Sequence, residues 1–145
     1  MLTSGSFLEG GEIPEQLTCR GAGLSPSLAW AGTPVDATSL ALVVRDRNAG
    51  GFVHWIVTGI DPLVLSVGAG GLPESAVEGL NSTGSTGWTP PCPPADSGVH
   101  SYELMLLALA DPVVLAPGTP AEQAAATLEA AAIERAVLTG TVASA

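Results

Sequence analysis

The chain contains no lysine. Its only basic side chains besides two histidines are four arginines, Arg20, Arg45, Arg47 and Arg135, against 14 acidic residues, for a formal charge of −10. Nucleic-acid affinity comes largely from neutralising phosphates with Lys and Arg, so a nucleic-acid partner is excluded. Anionic membrane surfaces are disfavoured for the same reason. Charged residues of both signs make up 12% of the chain, about half the usual ~25%. Long hydrophobic runs are also missing: nothing approaches the ~20 apolar residues that span a bilayer, so no stable membrane insertion is expected. The segment Met1–Gly10 lacks the basic and apolar regions of a secretory signal, and a cytoplasmic location is the expectation. Two cysteines, Cys19 and Cys92, do not make a disulfide framework.

What the chain has in excess is glycine (18) and proline (12) within 145 residues. So many chain-breakers exclude a mostly helical protein and point to short strands joined by turns and ordered loops. The length suits one domain, taken as 1–145, with a single core. Abundant Val, Leu and Ile argue against disorder.

Four segments read as strands: Leu40–Val44, Phe52–Ile60, His100–Leu109 and Ala136–Val142. Their continuous apolar character predicts burial on both faces. Weaker candidates are Phe7-Leu8, Leu28–Trp30 and Val64-Leu65. One helix is predicted from Thr119-Pro-Ala-Glu122, a capping box with Thr119 as N-cap and Pro120 in the first turn, running to about Arg135. The expected class is mainly β with a helix near the C-terminus. Between the strands lies Ser66–Gly98, too long for an ordinary connection. Its Pro90-Pro-Cys-Pro-Pro94 core is stiffened by fixed φ angles, and it reads as an ordered loop walling a site.

Only two histidines exist, and each has an aromatic two residues away on the same strand: Phe52 with His54, Tyr102 with His100. Alternate residues share a face, so each pair points one way. Asp46 closes a neighbouring apolar run. If these strand ends meet, they form an Asp/His/His cluster with aromatic walls. Each member also has a plainer reading, as a satisfied core histidine or a turn carboxylate. Cys92 reads as a small buried residue, or as a nucleophile if its thiolate is stabilised; whether it meets Cys19 depends on their Cα atoms coming within about 7 Å. Gly68, Gly70 and Gly71 lack the following capped helix of a phosphate loop. Asn81-Ser-Thr83 is a glycosylation sequon. Two His and one Asp can form a facial metal triad, but no familiar metal spacing accompanies them, and no metal or cofactor is expected.

These motifs occur in a recognisable order. Glu9-Gly-Gly-Glu-Ile-Pro14, Thr18-Cys-Arg-Gly21, Ser25-Pro-Ser-Leu-Ala-Trp30, Thr38-Ser-Leu-Ala-Leu42, Asp46, Phe52-Val-His-Trp55, Pro91-Cys-Pro-Pro94 and His100-Ser-Tyr102 together resemble the phosphatidylethanolamine-binding protein family. The likeness is to its bacterial and archaeal Raf-kinase-inhibitor-like members, the YbhB/YbcL group, and covers nearly the whole chain. The resemblance implies a β-sandwich of two antiparallel sheets with a helix near the C-terminus. It also implies a small anion-binding pocket built from Asp46, Phe52, His54, Cys92, Pro93, Pro94, His100 and Tyr102. Expected ligands are small phosphorylated or carboxylated molecules, including a phospholipid head group, with a protein kinase or protease as a second class of partner. Asp46 would orient an imidazole and favour its cationic form. Five positions depart from the family pattern. Asp46-Arg-Asn-Ala-Gly50 replaces Asp-Pro-Asp-Ala-Pro, which predicts a more flexible turn, while Trp88 stands for Tyr and Pro90 for Gly. Two other readings are a cofactor-free enzyme using the Asp/His/His pocket for acid–base chemistry on a small metabolite, and a scaffold with a vestigial pocket.

Overall fold

An apolar run such as Leu40–Val44 has no solvent face, so the strand that contains it needs cover on both sides. The computed structural model, which describes Met1–Ala145, supplies that cover with a small sheet on one side and a helix on the other. In chain order the elements are β1 (Leu2–Thr3), β2 (Gly11–Glu12), β3 (Leu28–Trp30), β4 (Ser39–Asp46), β5 (Phe52–Ile60), β6 (Ser66–Val67), β7 (Val77–Glu78), β8 (Val99–Leu109), α1 (Ala121–Ala131) and β9 (Ala132–Ala143). The main sheet has the order β2-β9-β8-β4-β5-β7, and the second has the order β1-β3-β6. The fold is mainly β with two sheets and one helix, as expected. It differs in one pairing: β2 lies parallel to β9, while the other named pairs are antiparallel.

Alternation along the central strands sorts their side chains into two cores. Leu40, Leu42 and Val44 of β4 join Tyr102, Leu104 and Leu106 of β8 beneath the small sheet, whose Leu28, Trp30 and Val67 complete that layer. Ala41 and Val43 point the other way, with Met105 and Leu107, under Ala121, Ala124, Ala125 and Leu128 of α1. Those four helix positions recur at i, i+3, i+4 and i+7, the spacing of one helical face.

Two bulges interrupt the β4–β5 ladder. Leu40 pairs with Ile60 and Leu42 with Val57, so β5 carries one extra residue there, and Gly59 adopts φ 70° to allow it. Val44 pairs with Trp55 and Arg45 with Val53, which leaves His54 as the second extra residue. A bulge re-aims the side chain it carries. Trp55 sits in the larger core, and His54 beside it packs against Tyr102 on that same side.

Several expectations are corrected. The helix begins after Pro120, not with Thr119 as a side-chain cap; the Thr119 hydroxyl donates instead to Ala116 O at 2.6 Å. It ends at Ala131 rather than near Arg135, because Ala132 to Ala143 form a ladder along β8. Ala-rich sequence favours helix, but pairing with a buried strand outweighs that preference for Ile133–Arg135. The early strand lies at Leu2–Thr3, not Phe7-Leu8, and Ser66–Val67 replaces Val64-Leu65. The long loop holds the two-residue strands β6 and β7. The sequon is spent internally: buried Asn81 donates from Nδ2 to Gly87 O at 2.8 Å, and its Oδ1 accepts from Thr83 N at 2.9 Å. Its amide is not free for attachment in the folded chain.

The N-terminal arm docks on β9 through Gly140, where an added Cβ would lie 2.7 Å from both Phe7 Cε2 and Ile13 Cγ1. Gly140→Ala is therefore expected to lower stability by about 1–3 kcal/mol through overpacking. Urea unfolding reads this as a shifted midpoint at unchanged slope. An unshifted midpoint would mean the arm does not hold this position.

Candidate functional site

Asp46 ends β4 in register with Tyr102 of β8 and Phe52 of β5. The same pairing brings together the ends of three strands, so the expected cluster forms. Only 4% of Asp46 is exposed, and a carboxylate buried that deeply needs partners. It has them. Oδ2 lies 2.6 Å from His100 Nδ1, and Oδ1 accepts the Asn48 N–H at 2.7 Å.

Asn48 does more than fill the place of an aspartate. Its Oδ1 accepts from Ser101 N at 2.7 Å, while Arg47 N donates to Ser101 O at 2.8 Å. The turn after β4 is thus clamped to β8 at several points. This corrects the expectation of a looser turn: an Asx-type bond and a side-chain bridge replace the stiffness the absent prolines would have given.

His54, the bulge residue, donates from Nδ1 to Thr89 O at 2.7 Å; a carbonyl only accepts, so this nitrogen carries the hydrogen. Thr89 N returns a bond to His54 O at 2.9 Å. Nε2 has no partner in the chain and is not sealed from solvent. Burial pushes His54 below the ordinary histidine value of 6.5, opposed by the Thr89 carbonyl and the Asp46 charge. His54 is therefore predominantly neutral at pH 7 and offers an acceptor at Nε2. Burial, with the adjacent Asp46 carboxylate adding to it, raises the Tyr102 hydroxyl well above the usual tyrosine range, so it stays protonated.

Aromatic walls surround these groups. The half-buried Phe52 ring stands edge-on to His54 with centroids 4.9 Å apart, and Tyr102 does so at 5.3 Å. Trp88, a departure from the family pattern, lies 6.4 Å from His54 and packs edge-on against Trp55.

The proline loop runs from one histidine to the other. It starts at Thr89, which holds His54, and reaches Pro94, whose carbonyl accepts from both Ser97 N (3.1 Å) and Ser97 Oγ (2.6 Å). Ser97 Oγ is also 3.0 Å from His100 Nε2. Pro93 is buried and Pro94 exposed. Cys92 is corrected on both readings: it is exposed, and it is bonded to Cys19 across a Cα–Cα distance of 5.4 Å. It is neither a buried small residue nor a free nucleophile, but a clamp between the proline loop and the turn after Leu17. A hydrogen bond from Cys19 N to Pro91 O at 3.1 Å runs beside the bond.

No group of three or more His, Cys, Asp or Glu side chains stands close enough to hold a metal. The site is a mouth at the strand ends. Two cavities, of ≈ 410 Å³ and ≈ 510 Å³, lie away from it, the first between Thr58, Val77–Leu80 and Pro112–Thr119. Sequence reasoning missed Thr89 and Ser97, and it noted Asn48 only as a departure in the turn, not as a bridge to Ser101. Thr89 acts through a backbone carbonyl, which leaves no residue-type signature. Ser97 precedes His100 by three positions, a signal too common to single out.

The model of the family described as phosphatidylethanolamine-binding protein matches residues 3–143. LppC of Mycobacterium tuberculosis, whose name assigns it provisionally to the lipoproteins, is 42% identical over 142 residues, covering 97% of this chain and 70% of the relative. A UPF0098 protein of Methanothermobacter thermautotrophicus is 38% identical over 146 residues, covering 96% and 95% respectively. The crystal structure of E. coli YbcL, described as a member of the mammalian PEBP family, superposes with a TM-score of 0.90 at 28% identity, covering 97% of this chain and 96% of the other.

Two outcomes follow from the site. Reducing Cys19–Cys92, which closes a loop of 73 residues, should lower unfolding stability by about 2–4 kcal/mol; equal denaturation midpoints with and without reductant would contradict this. His54 binds its proton less readily folded than unfolded. Its contribution to stability is therefore complete above pH 6.5 and is lost as pH falls from there through the depressed folded value. Replacing His54 by Gln should flatten that part of the stability–pH curve, and an unchanged slope would show that His54 is not the group responsible.

Proposed function

Because the chain belongs to the phosphatidylethanolamine-binding protein family, we propose that the mouth formed by Asp46, His54, His100 and Tyr102 binds a small molecule through its phosphoryl or carboxyl group. The observation that carries this reading is the unpartnered Nε2 of His54, on a ring packed against Tyr102 and within walls of Phe52 and Trp88. Few polar groups at a fixed spacing, set in an otherwise apolar surround, are what orient a small ligand.

The resting charge of the site sets the terms. Asp46 is negative and His54 neutral, so a fully ionised phosphate meets an acceptor at Nε2. Binding becomes favourable once one proton joins the complex, either on His54 or on the ligand. Phosphomonoesters have a second pKa near 6, so the ligand can itself carry that proton. A protonated imidazole then gives a charge-assisted bond to the anion, with Asp46 offsetting the added charge. The net −10 of the chain slows encounter with anions but is largely screened beyond roughly 8 Å at physiological salt.

The regulatory half of this reading, inhibition of a protein kinase or protease, is supported by the family likeness alone. For compartment, no helix is long and apolar enough to cross a membrane. An exposed Cys19–Cys92 bond persists in an oxidising environment and is rare in a reducing cytosol. With the lipoprotein name of a 42% identical relative, it favours an exported location over the cytoplasmic one expected from Met1–Gly10.

Isothermal titration with phosphoethanolamine and with inorganic phosphate tests the binding reading. Affinity is expected to rise by about tenfold per proton-linked pH unit on going from pH 8 to pH 6, and to fall when His54 is replaced by Ala. Absence of heat into the millimolar range at both pH values, with the protein folded, overturns it.

A further inference from the structure

The geometry points to a serine nucleophile at the rim of this mouth: we propose that Ser97, His100 and Asp46 form a hydrogen-bonded relay that hydrolyses short, uncharged acyl esters. The three residues make two consecutive contacts, Ser97 Oγ to His100 Nε2 at 3.0 Å and His100 Nδ1 to Asp46 Oδ2 at 2.6 Å. This is the order of roles found in serine hydrolases: an exposed nucleophile, an imidazole base, and a buried carboxylate that fixes the imidazole tautomer. Asp46 and His100 are each about 5% exposed or less, whereas Ser97 is open to solvent.

Each member is held in place by bonds outside the relay. Asp46 cannot swing away, because Oδ1 is tied to Asn48 N. With its carboxylate on Nδ1, His100 carries a hydrogen there and presents Nε2 as the base. Ser97 closes a turn in which its N–H reaches Pro94 O at 3.1 Å and Asp96 adopts φ 63°, the pattern of a type II turn. Gly98 follows at φ 83° and is pinned to Ser144 by Gly98 N to Ser144 Oγ (3.0 Å) and Ser144 N to Gly98 O (2.8 Å). A non-glycine residue held at positive φ beside a reactive group is a known way of storing strain at a working site. The Ser97 hydroxyl hydrogen has two acceptors, Pro94 O and His100 Nε2, and rotation about Cβ–Oγ turns it from one to the other. The N–H groups of Ala95 and Asp96, just before Ser97, make no hydrogen bond in the chain and are the turn's unspent donors for a developing oxyanion.

The chemistry balances without a cofactor. Ser97 Oγ attacks the ester carbonyl carbon while its proton passes to His100 Nε2. The tetrahedral adduct collapses, the bond to the leaving alcohol breaks, and the alcohol takes that proton. Water repeats the sequence on the acyl-serine and releases the carboxylic acid, so that ester plus water gives acid plus alcohol. The exposed Asp96 carboxylate next to Ser97, in a chain of net charge −10, repels acyl groups that carry negative charge; hence the uncharged class. The relay shares Asp46 and His100 with the anion site but does not require that any anion bind.

The test uses the intact chain with its disulfide formed. It is incubated with a fluorophosphonate probe and, separately, with p-nitrophenyl acetate. The expected result is a single adduct mapped to the peptide carrying Ser97, and ester hydrolysis that falls at least about 100-fold in Ser97→Ala and in Asp46→Asn. Ser97→Ala lies in an exposed turn and tests the nucleophile even if Asp46→Asn fails to fold. No adduct at Ser97, hydrolysis unchanged in Ser97→Ala, or equal labelling rates in the wild type and a folded Asp46→Asn would each overturn the proposal. A negative phosphate titration alongside a positive adduct would remove the anion reading and leave the relay standing.

Discussion

Strand β4 is covered on both faces, and the rest of the molecule is arranged to satisfy that constraint. Its neighbours β5 and β8 are equally apolar, so one face needs the small sheet and the other needs α1. The strand has to end somewhere, and it ends on a carboxylate that is still inside. Asp46 can stay buried only because His100 and the Asn48 N–H meet its two oxygens. Leaving a buried charge unpaired would cost more than the bonds themselves contribute. The site is thus the consequence of how a two-faced strand terminates.

Alternation then decides the electrostatics. Arg45 and Arg47 flank Asp46 in sequence but point to the opposite face, where they meet Glu103, and where Arg45 also pairs with Glu129 of α1. Arg135 joins the same group through Glu129 at 3.5 Å. The fourth arginine, Arg20, is turned to Ala143 O. Three of the four arginines in a lysine-free chain are therefore engaged on the face opposite the mouth. Among the side chains that form the mouth, only the histidines can carry positive charge, which makes its chemistry responsive to protons in a way an arginine-lined pocket would not be.

The proline loop joins the two histidines mechanically. Thr89 orients His54 at one end, Ser97 touches His100 at the other, and the Cys19–Cys92 bond fixes the middle to the turn after Leu17. Prolines alone restrict the local backbone, but they do not say where a loop lies against the rest of the fold. The cross-link and the Cys19 N–Pro91 O bond supply that placement.

By itself the sequence determined the class of the fold, its four long strands, one helix, and the placing of Asp46, His54 and His100 near strand ends. Those features follow from period-two patterning and turn residues, which are local and carry their own signal. The bulge at His54, the parallel docking of β2, the conversion of Ile133–Arg135 from helix to strand, and the partnership of Cys19 with Cys92 were decided by tertiary structure. Each depends on which distant segment a residue faces, and the energies of such contacts exceed the local preferences that a sequence displays. The neutral state of His54 belongs to the same group. Its charge is set by the water excluded around it, and that exclusion exists only once the strands, Trp88 and the loop have closed together.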